Sequence, residues 1–212
     1  MKIIIYGTGQ IGNVVSQILK ESGHEIIGYV DDNASLHSKS FDGIKIFGGF
    51  DWLLDNKIYD RVCLGVGTIL SRKKILTSLL KNKIETISAI HPSVIISSNV
   101  TLGKSLTIGA NSTIYGNIRI GDGSFIGPSV TVSHDTMLGK FNLISVGSVI
   151  GARVVIEDEV FVGSGSVLTP KRLNLESKLI VGKKSIIGAG SVVIENIKAG
   201  NKVAGVPAKP IS

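Results

Sequence analysis

Residues 102–127 read LGKSLTIGANSTIYGNIRIGDGSFIG, and an aliphatic side chain returns at every sixth position: Leu102, Ile108, Ile114, Ile120 and Ile126. The phase holds outward in both directions, back to Ile96 and Ile90 and on through Val132, Leu138, Ile144, Ile150, Ile156 and Val162 to Leu168. The next position is usually small, as at Gly103, Gly109, Gly121, Gly127, Gly139, Gly151 and Gly163. Helices and strands repeat at about 3.6 and 2 residues, so a period of six fits neither. It is the signature of hexapeptide β-helix repeats, in which a short strand buries its apolar side only by stacking on the next coil. One aliphatic side chain per hexad points inward, and the small residue beside it lets the chain turn a corner without a clash. With three hexads to a triangular coil, about six coils make a parallel β-helix column roughly 30 Å tall. After a one-residue phase shift the pattern resumes at Leu175, Val181, Ile187 and Val193. The segment Thr169 to Leu179 is therefore either a loop beside the column or a tolerated surface insertion.

The repeats claim the C-terminal half of the 212 residues and leave about ninety for a separate N-terminal unit. The expected divisions are an α/β, Rossmann-like domain over 1–88, the β-helix over 89–198 and a tail over 199–212. The apolar run at the start is too short for a signal peptide, and no segment is apolar for long enough to span a bilayer. The lone cysteine, Cys63, lies in an apolar run and reads as a small buried hydrophobe. A cytoplasmic protein is expected. The net charge of +7 comes from scattered lysines, and aromatics are only 5%. That argues against a nucleic-acid surface with interleaved stacking residues and for attraction of small polyanionic substrates.

In the N-terminal unit, Lys2 to Tyr6 reads as a buried strand running into Gly7-Thr8-Gly9-Gln10-Ile11-Gly12. Ile11, Val14, Val15, Ile18 and Leu19 follow at helical spacing, with Gly23 as the stop. Glu25 to Val30 is a second strand closed by Asp31-Asp32-Asn33. Strand, glycine turn, helix, strand and acidic residue in that order match a dinucleotide fingerprint. The glycines let the backbone approach a diphosphate, and the helix offers it unpaired N–H groups. Only two more strands are expected, Arg61 to Val66 and Ile84 to Ser88, with a helix near Ser71 to Lys81 between them. That leaves no room for a second mononucleotide-binding half, so a nucleotide is favoured over NAD. Gly65-Val66-Gly67-Thr68 should lie at the same sheet edge as the first turn, making a pocket there.

Among the hexads one departs, Val132-Ser133-His134-Asp135-Thr136-Met137. His134 is the histidine that falls mid-column with an acidic neighbour. It is a candidate general base or simply an exposed histidine on a β-helix face. It has no histidine one or two coils away, so a zinc site of several histidines is not expected. Nor is there a nucleophile elbow with partners, and acyl transfer without a covalent enzyme intermediate stays open.

Together Tyr6 to Gly12, Asp31-Asp32, Gly67, Arg72-Lys73-Lys74, the hexads, Ser133-His134-Asp135 and Gly205-Val206-Pro207-Ala208-Lys209 carry a resemblance over nearly the whole chain. The chain resembles the bacterial sugar acyltransferases of the left-handed β-helix family. It is most like those that N-acetylate nucleotide-linked 4-amino sugars for surface glycan biosynthesis, and is also similar to sialic acid O-acetyltransferases. The left-handed coil sense comes from this resemblance, since ordinary β-crossovers are right-handed. The resemblance implies a homotrimer with acetyl-CoA lying in a groove between columns. It places the catalytic histidine on His134 and its acidic partner on Asp135. The sugar-nucleotide turn falls on Gly9, Gln10 and Ile11, with the nucleotide also near Asp31, Asp32 and Gly67. Main-chain contacts to CoA fall near Ala152, Ser164 and Ala189, and the charge of Lys183, Lys184 and Lys209 makes them candidates for its phosphates. The chain departs from the pattern at Ile11 and Leu143, where relatives carry histidines, and in the length of Thr169 to Leu179. Alternatives are O-acetylation of a sugar hydroxyl, or a non-catalytic trimeric scaffold that senses a nucleotide.

Overall fold

The computed structural model describes residues 1–171 and 177–211, in two compact units: residues 1–92 with 104–107, and residues 93–103 with 108 onward. Leu175 and the middle of the Thr169–Leu179 segment lie outside the described residues.

The first unit runs β1 (Lys2–Tyr6), α1 (Gln10–Glu21), β2 (Glu25–Val30), β3 (Ser40–Phe41), β4 (Ile44–Gly48), α2 (Phe50–Asp55), β5 (Arg61–Leu64), α3 (Ile69–Lys81) and β6 (Thr86–Ile87). The strands form one sheet in the order β3-β4-β2-β1-β5-β6, parallel except for the β3–β4 hairpin. β1 is central, with Ile3, Ile4 and Ile5 inaccessible to solvent, as suits a parallel strand covered on both faces. The sheet has two strands more than expected, and α2 was not foreseen. β4 is five residues and α2 six, too short for either period to stand out, and a two-residue edge strand has no pattern at all. Cys63 is buried in β5, and burial pushes its thiol up to about 12, so it is an inert core residue as expected.

The second unit is the β-helix, left-handed, with three parallel sheets. One face stacks Ile95–Ile96, Thr113–Ile114, Thr131–Val132, Val149–Ile150, Val167–Leu168 and Val192–Val193. A second stacks Val100–Leu102, Ile118–Ile120, Thr136–Leu138, Val154–Ile156 and Leu179–Val181. The third runs through Phe125–Ile126, Leu143–Ile144, Phe161–Val162 and Ile186–Ile187 to Lys202–Ala204, capped by antiparallel Lys209–Pro210. Partners are eighteen residues apart, as in Thr113 with Thr131 and Thr131 with Val149. On all three faces one step is twenty-five instead: Val154 with Leu179, Phe161 with Ile186, Val167 with Val192. One coil thus carries seven extra residues, and beyond it the step shortens to sixteen, Ile186 with Lys202 and Val181 with Ile197.

The six-residue aliphatics from Ile108 to Leu168, then Val181, Ile187 and Val193, are buried to within a few per cent. Each stabilises the column by about 1.5–3 kcal/mol relative to exposure. Small polar residues also point inward, and each hydroxyl finds a carbonyl: Ser112 Oγ donates to Gly127 O at 2.9 Å and Ser148 Oγ to Gly163 O at 3.1 Å.

The corners work differently from the sequence expectation. The small residue after each aliphatic clears the coil above: a Cβ on Gly109 would stand 2.6 Å from Pro128 N. The bend itself falls two residues later, at left-handed positions such as Asn111 (φ 59°), Ser129 (55°), Asp135 (57°) and Arg153 (59°).

Candidate active site

His134 and Asp135 occupy the corner between strands Thr131–Val132 and Thr136–Leu138. Asp135 adopts the left-handed conformation that turns the chain, and both side chains are about half exposed. His134 Nδ1 lies 2.9 Å from Asp135 Oδ2. The hydrogen bond from His134 holds the Asp135 carboxyl below the usual range. Partial burial opposes it, and Asn117, the His134 charge and Arg153 assist it. An ionised carboxylate only accepts, so Nδ1 carries the proton and Nε2 keeps its lone pair in the neutral ring.

The backbone around the pair is clamped to the coil above. Ser133 N donates to Ile150 O at 2.8 Å, Arg153 N to His134 O at 3.0 Å, and Thr136 Oγ1 to Gly151 O at 3.0 Å. One coil below stands Gly116, at φ +114°, and a Cβ there would lie 2.5 Å from His134 Cβ. One coil above His134 is Ala152. The imidazole therefore rises from a rigid corner with a small residue on either side. Gly116, Asn117 and Arg153 escaped the sequence reading. The signal for them was available: counting eighteen either way from His134 and Asp135 lands on Gly116, Ala152, Asn117 and Arg153.

In the N-terminal unit the expected nucleotide residues gather at the carboxyl edge of the sheet. Gly9 is the N-cap of α1 without a side-chain cap, no acidic residue lies in the first turn, and Gln10 and Ile11 begin the helix. A Cβ on Gly12 would lie 2.3 Å from Gly7 O, so α1 packs directly on the turn, and one on Gly67 would lie 2.7 Å from Ile11 Cγ1. The Gly65–Thr68 segment does stand beside the first turn, as the parallel order requires. The acidic pair is more engaged than its sequence suggests. Asp31 Oδ2 accepts from Thr8 N at 3.0 Å and Thr8 Oγ1 at 2.7 Å, and Asp31 Oδ1 from Asn33 N at 3.0 Å. Asp32 Oδ1 accepts from the Tyr6 hydroxyl, whose pKa is raised by burial and then by this carboxylate. Asp32 is exposed and is the member of the pair with an oxygen open to a ligand. Tyr6 and Thr8 were seen only as strand and turn, because their partners lie more than twenty residues away.

The residues expected around CoA do not share a corner of the column. Ala152 is on the His134 corner. Ser164 and Ala189 stack between the third and first faces, a Cβ on Gly163 lying 2.5 Å from Ala189 N. Lys183 and Lys184 lie between the second and third faces, with Lys183 Nζ 3.9 Å from Glu159 Oε1. Lys209 is exposed on the terminal antiparallel strand. Leu143 opens a strand of the third face, half buried. Among the described residues no three His, Cys, Asp or Glu side chains group as a metal site.

Three stacked parallel faces of short strands joined to a small parallel α/β unit recur in proteins of known structure. Residues 2–79 match the PglD N-terminal domain family and residues 80–180 the GMPPB C-terminal domain family. Among solved structures the chain is similar to PerB from Caulobacter crescentus in complex with CoA and GDP-perosamine. That match has 25% identity and a TM-score of 0.91, over all of this chain and 98% of the other. It is similar to the acetyltransferase domain of PglB from Neisseria gonorrhoeae, at 25% identity and TM-score 0.87 over 99% of each chain. WeeI from Acinetobacter baumannii shares the fold over the full length of both chains, at 21% identity and TM-score 0.90. No curated protein sequence matches the chain.

Proposed function

We propose that this protein transfers the acetyl group of acetyl-CoA to the amino group of a nucleotide-linked amino sugar, with His134 as general base. The observation that carries this reading is the 2.9 Å bond from His134 Nδ1 to Asp135, which leaves Nε2 as the basic atom on a rigid, outward corner. PerB, solved with CoA and GDP-perosamine, and the acetyltransferase domain of PglB supply the reactant classes.

The amine attacks the thioester carbonyl, forming the C–N bond, and Nε2 takes the proton that the nitrogen must lose. The C–S bond then breaks, and the sulfur leaves as thiolate, or as thiol if it receives that proton. Asp135 stabilises the imidazolium and holds its tautomer. A backbone N–H would serve the developing oxyanion, and most of the rate gain would come from holding amine and thioester together. The glycine turn, the α1 N-terminus, Asp32 and Gly67 hold the nucleotide end of the acceptor.

The working state is a homotrimer. Ala152, the Ser164–Ala189 pair and the Lys183–Lys184 pair leave one column at three different corners, so a single column cannot line one groove with all of them. A cleft between two columns can. The setting is the cytoplasm, in keeping with a buried lone thiol, and among the described residues no helix is long and apolar enough to cross a membrane.

The test is a panel of UDP-, dTDP- and GDP-linked amino sugars incubated with acetyl-CoA, followed by release of free thiol. Release with at least one acceptor is expected, from a trimer in sedimentation. Silence across the panel, or an active monomer, would remove this reading.

A further inference from the structure

Following Asp135 through the coils uncovers a second feature of its corner. The equivalent positions are Asn117 one coil below, Arg153 one coil above and Lys178 above that, spaced eighteen, eighteen and twenty-five residues apart. Leu179 N donates to Arg153 O at 3.2 Å, which fixes the last step. Arg153 and Lys178 thus stand on adjacent coils, about 4.8 Å apart along the stack. Adjacent like charges repel unless a counter-charge lies between them. Among the described residues neither cation forms an ion pair, and nor does Arg119 on the neighbouring strand. Arg153 Nε is buried and has no hydrogen-bond partner. All three cations, together with Asp135, line a cavity of about 490 Å³ on the second face of the column.

Three cations face one carboxylate, and that carboxylate is engaged by His134. We propose that this cavity is an oxyanion site that takes a phosphate or diphosphate group of one of the two substrates. Two guanidinium forks and an ammonium match the charge and geometry of a phosphate better than those of a single carboxylate. The site is distinct from the lysines at 183, 184 and 209, and from the glycine turn. That its ligand belongs to a substrate rests on the acetyltransfer reading above; that it binds phosphate does not.

CoA, GDP, inorganic pyrophosphate and pantetheine, which lacks phosphate, are titrated into the full-length protein and into Arg153→Gln and Lys178→Gln by calorimetry. Circular dichroism confirms the fold of both variants. Each substitution is expected to weaken either CoA or GDP about tenfold, the loss of one charged hydrogen bond, and to leave pantetheine unchanged. Loss for CoA assigns the site to the donor, and loss for GDP to the acceptor. Unaltered affinity for CoA, GDP and pyrophosphate in both variants would overturn the proposal. If binding weakens as expected while the acceptor panel releases no thiol, the phosphate site stands and the reaction assignment falls.

Discussion

The two halves of this chain hold their acidic residues to opposite ends. In the N-terminal unit Asp31 points back into the protein: its two oxygens accept from Thr8 and Asn33, so the carboxylate fastens the end of β2 to the glycine turn. In the column Asp135 points outward, and its carboxylate meets the ring of His134 at 2.9 Å. Both were legible as carboxylates beside a candidate site. What separates them is whether the carboxylate's partners belong to the scaffold or to the chemistry. Removing the first should cost stability, and removing the second should cost rate.

The largest effect is expected at the ring. His134→Ala should lower kcat for an amino acceptor by about 10²–10⁴-fold, with an unchanged melting temperature, since the side chain is half exposed. For a hydroxyl acceptor, which needs the base more, activity should be undetectable. Full activity in this variant, measured by thiol release, removes His134 from the mechanism. Asp135→Asn should be worse than Asp135→Ala. An amide can donate to Nδ1 and so shift the proton to Nε2, the wrong tautomer, whereas alanine only frees the ring. A loss of roughly tenfold or more is expected for the amide, read in kcat rather than KM.

Gly116→Ala tests whether the corner is as rigid as its backbone bonds imply. The new Cβ must adopt φ +114° and meet His134 Cβ at 2.5 Å, so two backbone segments must give way. About 1–3 kcal/mol of strain is expected, seen as a lower melting temperature together with a fall in kcat. A variant that melts like the wild type but loses activity would mean that the ring is displaced at no cost to the coil.

The same contrast explains what the sequence could reveal. The column is a one-dimensional object, so a period of six places its repeating strands and their buried aliphatics, and counting eighteen gives the vertical neighbours of His134, Gly116 and Ala152. It stopped where the count stopped: the seven-residue insertion separates Arg153 from Lys178 by twenty-five positions, so their stacking was invisible. The N-terminal sheet has no such rule. Ile3, Ile4 and Ile5 announce a central strand, but β3, β4 and α2 are too short to carry a period. The partners of Asp31 and Asp32, from Thr8 and Tyr6, depend on which strands become neighbours.

Asp31→Ala should therefore act mainly on stability. It leaves the Thr8 N–H and hydroxyl without their acceptor at a largely buried residue, a loss of about 1–3 kcal/mol. Asp32→Ala leaves only the Tyr6 hydroxyl without its acceptor, so it should lose less stability and act mainly on affinity for a nucleoside diphosphate. Thermal melts and GDP titrations of the two variants separate the roles, and a reversal of the pattern would mean that Asp31 is the ligand-binding member.

The smallest effect is in acid. The Asp135 carboxyl is held below its ordinary value in the folded protein, chiefly by the hydrogen bond from His134. A group whose folded pKa is depressed stabilises the fold above its unfolded value, about 3.9 for an aspartate, and loses that contribution as pH falls through the folded value. The wild type should thus melt slightly above Asp135→Ala at pH 7, and the difference should vanish as pH falls through the depressed folded value. Because the pair is half exposed, the gap should also shrink in high salt. A gap that persists in strong acid would show that Asp135 supports the corner through its backbone conformation rather than through its charge. Asp135→Asn, which tolerates the left-handed turn but carries no charge, distinguishes the two causes.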